Sequence, residues 1–186
     1  MEVFPGAAPE IRALFTLKET IQREAINAIL EGMNILRNRD MLFTSVQAVR
    51  VGIHVRRGDI VNDAAQTAHG HVAATEEYLL RMAQRTQRRY PSAVFFVLSN
   101  DIEYCQRLFR EPNFIFVAGK AAQVDMAIMT FMDVMVMSVG SFGWWSSYLS
   151  DAQEVFYFKD WPRNGSEFAR GVAAEDYFLP AWHGDN

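Results

Sequence analysis

The sequence predicts an α/β fold built on a doubly wound parallel sheet. Three observations carry this. Short apolar runs alternate with stretches of helical periodicity, the pattern of repeated βαβ units. One run, residues 93–98 (AVFFVL), is apolar throughout, as a strand covered on both faces must be. Polar clusters follow directly after several of these segments, where open α/β sheets bind ligands.

Residues 11–36 read as one helix. Leu14, Ile21, Ala25, Ile29 and Met33 recur at intervals near 3.6, and Ile26 and Leu30 widen the stripe. Asn38-Arg39-Asp40 reads as a break. Residues 46–55 predict the first strand, and the polar stretch 60–74 a mobile loop. Residues 75–90 predict a helix. Thr75 can cap it, Glu76 and Glu77 suit its positive end, Arg85, Arg88 and Arg89 suit its negative end, and Pro91 stops it. The second strand, 93–98, ends at Ser99-Asn100-Asp101. A short helix over 102–109, a third strand over 114–117 and a helix over 123–131 follow. Residues 132–138 predict a fourth strand, leading through Val139-Gly140-Ser141-Phe142-Gly143 into a helix over 144–149. Residues 155–158 predict a fifth strand. The tail, 160–186, is rich in aromatics, Gly and Pro and ends the domain. Residues 1–40 are expected to form an N-terminal helical segment and residues 41–186 a Rossmann-like domain.

Composition narrows the function. A chain of 186 residues is long enough for one domain with a sizeable core. A net charge of −4 argues against a nucleic-acid binder, which needs a basic face. The single cysteine, Cys105, rules out an internal disulfide framework and reads as a buried small hydrophobe. The first ten residues contain no signal-peptide core, and no run of about 20 apolar residues occurs. Any membrane anchor of a parent protein is expected outside this chain. Asn164-Gly165-Ser166 is a glycosylation sequon.

The chemistry concentrates in four clusters: His54/Arg56/Arg57/Asp59, Ser99/Asn100/Asp101, Asp125, and Ser141/Phe142/Gly143. Parallel strands bring strand-end clusters to one edge, so these can converge on one ligand. Arginine grips phosphate through two parallel hydrogen bonds. If Arg56 and Arg57 continue the strand they alternate sides, so one can face the ligand while the other braces Asp59 or a loop. The Ser141-Phe142-Gly143 turn before a helix suits an anion or serves as an ordinary cap. Asp125 is a helix-start charge or an acceptor for a purine. Arg57-Gly58-Asp59 leaves a core strand, not a loop tip, which argues against integrin binding. His69 and His71, in the expected loop, read as neither metal ligands nor a base. No metal-ligand spacing, Gly-rich P-loop or serine nucleophile elbow occurs.

At these residues the chain resembles the α-1,2-fucosyltransferases. The order and spacing of His54-Val55-Arg56-Arg57-Gly58-Asp59, of the segment from Ser99 to Cys105, and of Asp125 to Met129 through Ser141-Phe142-Gly143-Trp144-Trp145 carry the likeness. The resemblance implies the donor-binding lobe of a GT-B-related fold. It implies transfer of L-fucose from GDP-fucose to a galactose 2-hydroxyl with inversion and without a metal or other cofactor. Arg56 would hold the β-phosphate, and His54 and Asp125 would contact guanine or ribose. Ser141 and Phe142 would meet the pyrophosphate. Arg57, Asn100, Asp101 and Gly143 would complete the donor site, and Asp59 is a candidate base. Partners would be GDP-fucose and a galactose-terminated glycan. The family setting is the Golgi lumen through a membrane anchor, or the cytoplasm in a bacterium. Two departures stand out: Met132-Asp133-Val134 replaces a frequent Cys-Asp-His, and Ile60 replaces an aromatic. Only about fifty residues precede the first motif, so much of the other lobe is expected to be missing. A truncated paralogue that binds nucleotide or glycan without transfer is the alternative, and an interaction protein with a vestigial site a third.

Overall fold

A computed structural model describes residues 8–38 and 48–186. Part of the expected first strand and of the expected break at Asn38-Arg39-Asp40 lies outside the described residues. Six strands form one sheet: β1 (Val49–Val55), β2 (Ala93–Ser99), β3 (Phe114–Val117), β4 (Val134–Met137), β5 (Glu154–Phe158) and β6 (His183–Asp185). Their order is β3-β2-β1-β4-β5-β6, with every neighbouring pair parallel. The chain winds outward from β1 in one direction and from β4 in the other, as in a doubly wound sheet. The helices are α1 (Ala8–Leu14), α2 (Glu19–Arg37), α3 (Gly58–Asn62), α4 (Ala64–His69), α5 (Glu76–Arg89), α6 (Ile102–Leu108), α7 (Ala122–Thr130), α8 (Ser141–Leu149), α9 (Glu167–Arg170) and α10 (Ala174–Tyr177).

The period of two along each strand divides the core between the sheet's faces. Phe95 and Val97 of β2 pack with Tyr78, Leu79 and Met82 of α5. Their neighbours Val94, Phe96 and Leu98 pack with Ala25 and Ile29 of α2 and Ile128 of α7. Phe95 and Phe96 are fully covered, each burial worth about 1.5–3 kcal/mol. A strand apolar at every position therefore does belong between two helical layers. In register, His54 of β1 stands beside Met137 of β4. This puts the carboxyl ends of β1 and β4 side by side at the point where the strand order reverses.

Several expectations need correction. The single helix over 11–36 is two helices. Its first apolar positions find no core, with Leu14 83% exposed and Phe15 45% exposed. Side chains take over the local carbonyls instead: the Thr16 hydroxyl donates to Ala13 O at 2.8 Å and the Gln22 amide to Leu17 O at 2.7 Å. The expected loop over 60–74 holds most of two short helices. The Asp63 carboxylate accepts from Ala65 N at 2.8 Å and caps α4. The last helix before β5 begins at Ser141, three residues earlier than its apolar pattern suggests. The tail adds a sixth strand, β6, which has no apolar run. It is held by its backbone pairing with β5 and by Arg81, whose guanidinium donates to Asp185 Oδ1 at 2.9 Å. The helix expected over 75–90 forms as read, with the Thr75 hydroxyl accepting from Tyr78 N at 3.1 Å.

At the opposite, amino-terminal end of the sheet, Asp133 accepts from the backbone N, Nε and Nη2 of Arg50 at 2.8, 3.0 and 2.7 Å. This ties the start of β1 to the start of β4. Cys105 is buried, and burial raises its thiol to about 11, so it stays protonated and inert. Among the described residues no helix is long and apolar enough to cross a membrane.

Candidate active site

Arg56 leaves β1 at its carboxyl end. Its backbone N–H donates to the Ser138 hydroxyl beyond β4 at 2.8 Å, which anchors it across the switch point. Its guanidinium donates to Asp59 on the first turn of α3. Asp59 is fixed in turn by the Asn100 amide, which donates to its other oxygen at 2.9 Å. Burial pushes the Asp59 carboxyl up, but the hydrogen bonds from Arg56 and Asn100 and the charge of Arg56 outweigh this and hold it below its ordinary value. A cation is thus aimed by a carboxylate that is itself aimed.

The start of α8 stands beside this cation. Gly140 precedes the helix with φ of +91°, a left-handed conformation that favours glycine. A Cβ there would lie 3.2 Å from Arg56 Cδ. Gly140 brings no side chain to cap α8. First-turn amides have no partner inside their own helix. They point outward, and the helix dipole favours an anion at that place.

Two cavities flank Arg56. One, of about 260 Å³, is lined by His54, Arg56, Ser99, Asn100, Asp125 and Phe142. Asp125 Oδ1 and His54 Nδ1 are buried there without a hydrogen-bond partner. Burial raises the Asp125 carboxyl to about 6, against a smaller opposing effect of Lys120. Burial, helped by the charge of Arg56, lowers His54 to about 4, so its ring is neutral at physiological pH. The Phe142 ring lies 5.1 Å from that of His54 and forms part of the wall. Buried polar atoms are nearly always hydrogen-bonded in native proteins. His54 Nδ1 lies against Gly143, whereas Asp125, at the cavity, is an acceptor that burial disfavours as an anion and that a hydrogen-bond donor would complete.

The second cavity, of about 350 Å³, also borders Arg56 and shares no other lining residue with the first. It includes Asp59, Gly140 and Ser141 at one end and His71, Trp161 and Phe168 among its walls. Arg56 lines both cavities.

The structure thus brings together His54, Arg56, Asn100, Asp125 and Phe142 around the first cavity. It brings Arg56, Asp59 and Ser141 together around the second. It places three expected residues differently. Arg57 turns toward α6, its guanidinium 4.2 Å over the Tyr104 ring and its Nε 3.7 Å from Asp101. Asp101 caps α6 by accepting from Tyr104 N at 3.2 Å. Gly143 is buried, and a Cβ there would lie 2.7 Å from His54 Nδ1. It gives His54 room without lining either cavity. Sequence reasoning missed Gln66, Trp161, Phe168 and Tyr177 of the second cavity. The aromatic density of the tail is the only signal for Trp161, Phe168 and Tyr177, and Gln66 has none. His71 falls in the stretch read as a mobile loop, and its partner Trp161 lies ninety residues away. Among the described residues no three His, Cys, Asp or Glu side chains group as metal ligands would.

Comparisons with known proteins give the family of the chain. Residues 4–186 match the family model "Glycosyl transferase family 11". The chain is 31% identical over 182 residues to galactoside alpha-(1,2)-fucosyltransferase 1 of Leontocebus fuscicollis, covering 95% of this chain and 48% of that protein. It is also 31% identical to galactoside alpha-(1,2)-fucosyltransferase 2 of Mus musculus, covering 95% and 49%. The chain therefore spans about half the length of the curated relatives it matches. Among solved structures, POFUT1 in complex with GDP-fucose shares the fold with a TM-score of 0.50 at 12% identity, over 76% of this chain and 47% of that one. With its motifs, its doubly wound sheet and a family match over almost its whole length, the chain belongs to glycosyl transferase family 11.

Proposed function

We propose that this chain is the donor-binding lobe of an enzyme that transfers L-fucose from GDP-fucose to the 2-hydroxyl of a terminal galactoside. The observation that carries the reading is the position of Arg56 between two cavities, beside an uncapped helix start. A nucleoside diphosphate sugar has that shape: a base at one end, a sugar at the other, an anion between. The names of the relatives support the fucosyl donor and the galactoside acceptor.

Guanine enters the first cavity. Its N1–H and exocyclic amine donate to Asp125, which completes the orphaned Oδ1. Asn100 and the His54–Phe142 wall enclose the base or ribose. The diphosphate lies at Arg56 and the first-turn amides of α8. Arg57 and Asp101, paired with each other, join the two loops that carry Arg56 and Asn100. The Arg57 and Gly58 N–H groups donate to Asn100 Oδ1 at 2.9 and 3.2 Å.

In the transfer, the bond from C1 of fucose to the β-phosphate oxygen breaks and its electron pair stays with GDP. The galactose 2-oxygen bonds to C1 from the opposite face, so the anomeric centre inverts. Charge on the departing diphosphate grows as the bond lengthens, and Arg56 and the α8 amides stabilise it most in the transition state. This reading assigns that stabilisation to protein groups, without a metal. The acceptor proton leaves late, when the acceptor oxygen has become acidic, so a hydrogen-bond acceptor on the acceptor side is enough to take it. Asp59, expected as a candidate base, is paired to the guanidinium that meets the diphosphate, and in this reading it aims Arg56. By family resemblance the whole protein works in the Golgi lumen, or in the cytoplasm of a bacterium.

The test is thermal unfolding with and without GDP. Saturating GDP raises the Tm of the chain, by about 2.7 kcal/mol of stabilisation at a hundredfold excess over Kd, and Arg56→Ala removes the effect. A Tm unchanged by GDP refutes the reading. A second reading is nucleotide binding without transfer. GDP binding with no fucosylated product from GDP-fucose and a galactoside favours it.

A further inference from the structure

The cavity beyond Arg56 has a chemistry of its own, and this inference rests on the nucleotide-sugar reading above. Its charged groups, Arg56 and Asp59, stand at the diphosphate end. Phe168, Val172 and Tyr177 make another part of its wall apolar. His71, with Gln66, is among the polar groups of the cavity, and its ring packs on that wall. Its ring lies 4.6 Å from Phe168, and Trp161 packs edge-on to Phe168 at 5.3 Å.

His71 is held in one form. The buried Trp161 indole N–H donates to its Nδ1 at 3.4 Å. In a neutral imidazole the other nitrogen then carries the proton, so Nε2–H is a donor. The backbone fixes the residue as well. Gly70, with φ of +122°, ends α4, and Arg163 N donates to Gly70 O at 2.9 Å. A Cβ on Gly70 would stand 2.2 Å from Ser166 Oγ, so only glycine brings this turn against the segment carrying Trp161 and Phe168. Two chain segments about ninety residues apart are thus locked into one wall.

We propose that this wall selects the sugar of the donor. His71 Nε2–H donates to a sugar hydroxyl, and the apolar face of Phe168 and Val172 receives a carbon that bears no hydroxyl. A 6-deoxyhexose satisfies both demands. The same hexose with its 6-hydroxyl restored must bury that group against hydrocarbon without a partner. Trp161 acts as a positioning residue for His71.

The experiment is calorimetric titration of the whole chain with GDP, GDP-L-fucose and GDP-L-galactose, which differs from GDP-L-fucose by one hydroxyl. The expected result is at least tenfold tighter binding of GDP-L-fucose than of GDP-L-galactose. His71→Ala weakens GDP-L-fucose about tenfold and leaves GDP unchanged. Trp161→Phe keeps the ring but loses the N–H, and gives a smaller loss of the same pattern. Phe168→Ser reduces the fucose-to-galactose ratio to within about threefold. Unchanged GDP affinity in each variant shows an intact fold, and a variant that loses it is replaced by Val172→Ser, with the same reduction of the ratio expected. Equal affinity of the wild-type chain for the two sugars, or equal losses of GDP and GDP-L-fucose in His71→Ala, overturns the proposal while the nucleotide site stands. Failure of the wild-type chain to bind GDP overturns both.

Discussion

Asp125→Asn separates stability from binding at the first cavity. Burial raises Asp125 from an ordinary value of 3.8 to about 6. The folded state therefore holds this proton more tightly than the unfolded chain does. The sign follows: the stability contributed by the neutral form is complete below about pH 4 and is lost as the pH rises through 6. A shift of about two units corresponds to roughly 3 kcal/mol. Solvent screening at a half-buried carboxylate reduces this to about 1–2 kcal/mol. Asparagine keeps the shape and never ionises. At pH 7.5 the variant is therefore more stable by about 1–2 kcal/mol, about 2–8 °C in Tm for a chain of this size. Binding moves the other way. Guanine offers only donors to this carboxylate, and an amide turned to accept one must present its own N–H₂ to the other. That leaves buried donors opposed, at a cost of about 1–3 kcal/mol or tenfold to a hundredfold in Kd. For the wild-type chain, GDP binds the ionised carboxylate, so its Kd rises by about tenfold per pH unit below 6. The assay is calorimetric titration with GDP from pH 5 to pH 8, beside thermal melts of both proteins. An Asp125→Asn chain that binds GDP as tightly as the wild type, with the same pH dependence, refutes this account of the cavity.

Two further perturbations test the frame of the site. Gly140→Ala forces a side chain into a positive-φ backbone that glycine alone adopts readily, beside Arg56, and costs about 1–3 kcal/mol, read as a fall in Tm together with weaker GDP binding. Asp133→Ala removes the acceptor of three Arg50 hydrogen bonds and costs about 1–3 kcal/mol. Burial raises Asp133, but the Arg50 hydrogen bonds and charge prevail and hold it below its ordinary value. Its stabilisation is therefore present above about pH 4 and lost as the pH falls through the lowered value. A chemical-denaturation series from pH 3 to pH 7 shows this fall in the wild type and not in Asp133→Ala, while GDP affinity at pH 7 is unchanged.

The sequence by itself determined the fold class, because side-chain burial follows local periods. A strand apolar at every position, such as 93–98, has no stable place except between two layers, and the cap at Thr75 acts through a bond to its own next turn. It also singled out Arg56, Asp125 and Ser141 as candidates, and the structure sets Arg56 and Asp125 at one cavity and Arg56 and Ser141 at the other. It could not place β6, where His183-Gly184-Asp185 has no apolar pattern and the strand exists only through backbone pairing and the Arg81 ion pair. Nor could it say which arginine lines the two cavities. That depends on a ring 47 residues away, Tyr104, which takes Arg57, and on Asp59, which holds Arg56. The second cavity was decided by tertiary structure alone. Its wall joins His71 to Trp161 across ninety residues, and no local rule encodes a contact made by the packing of two loops.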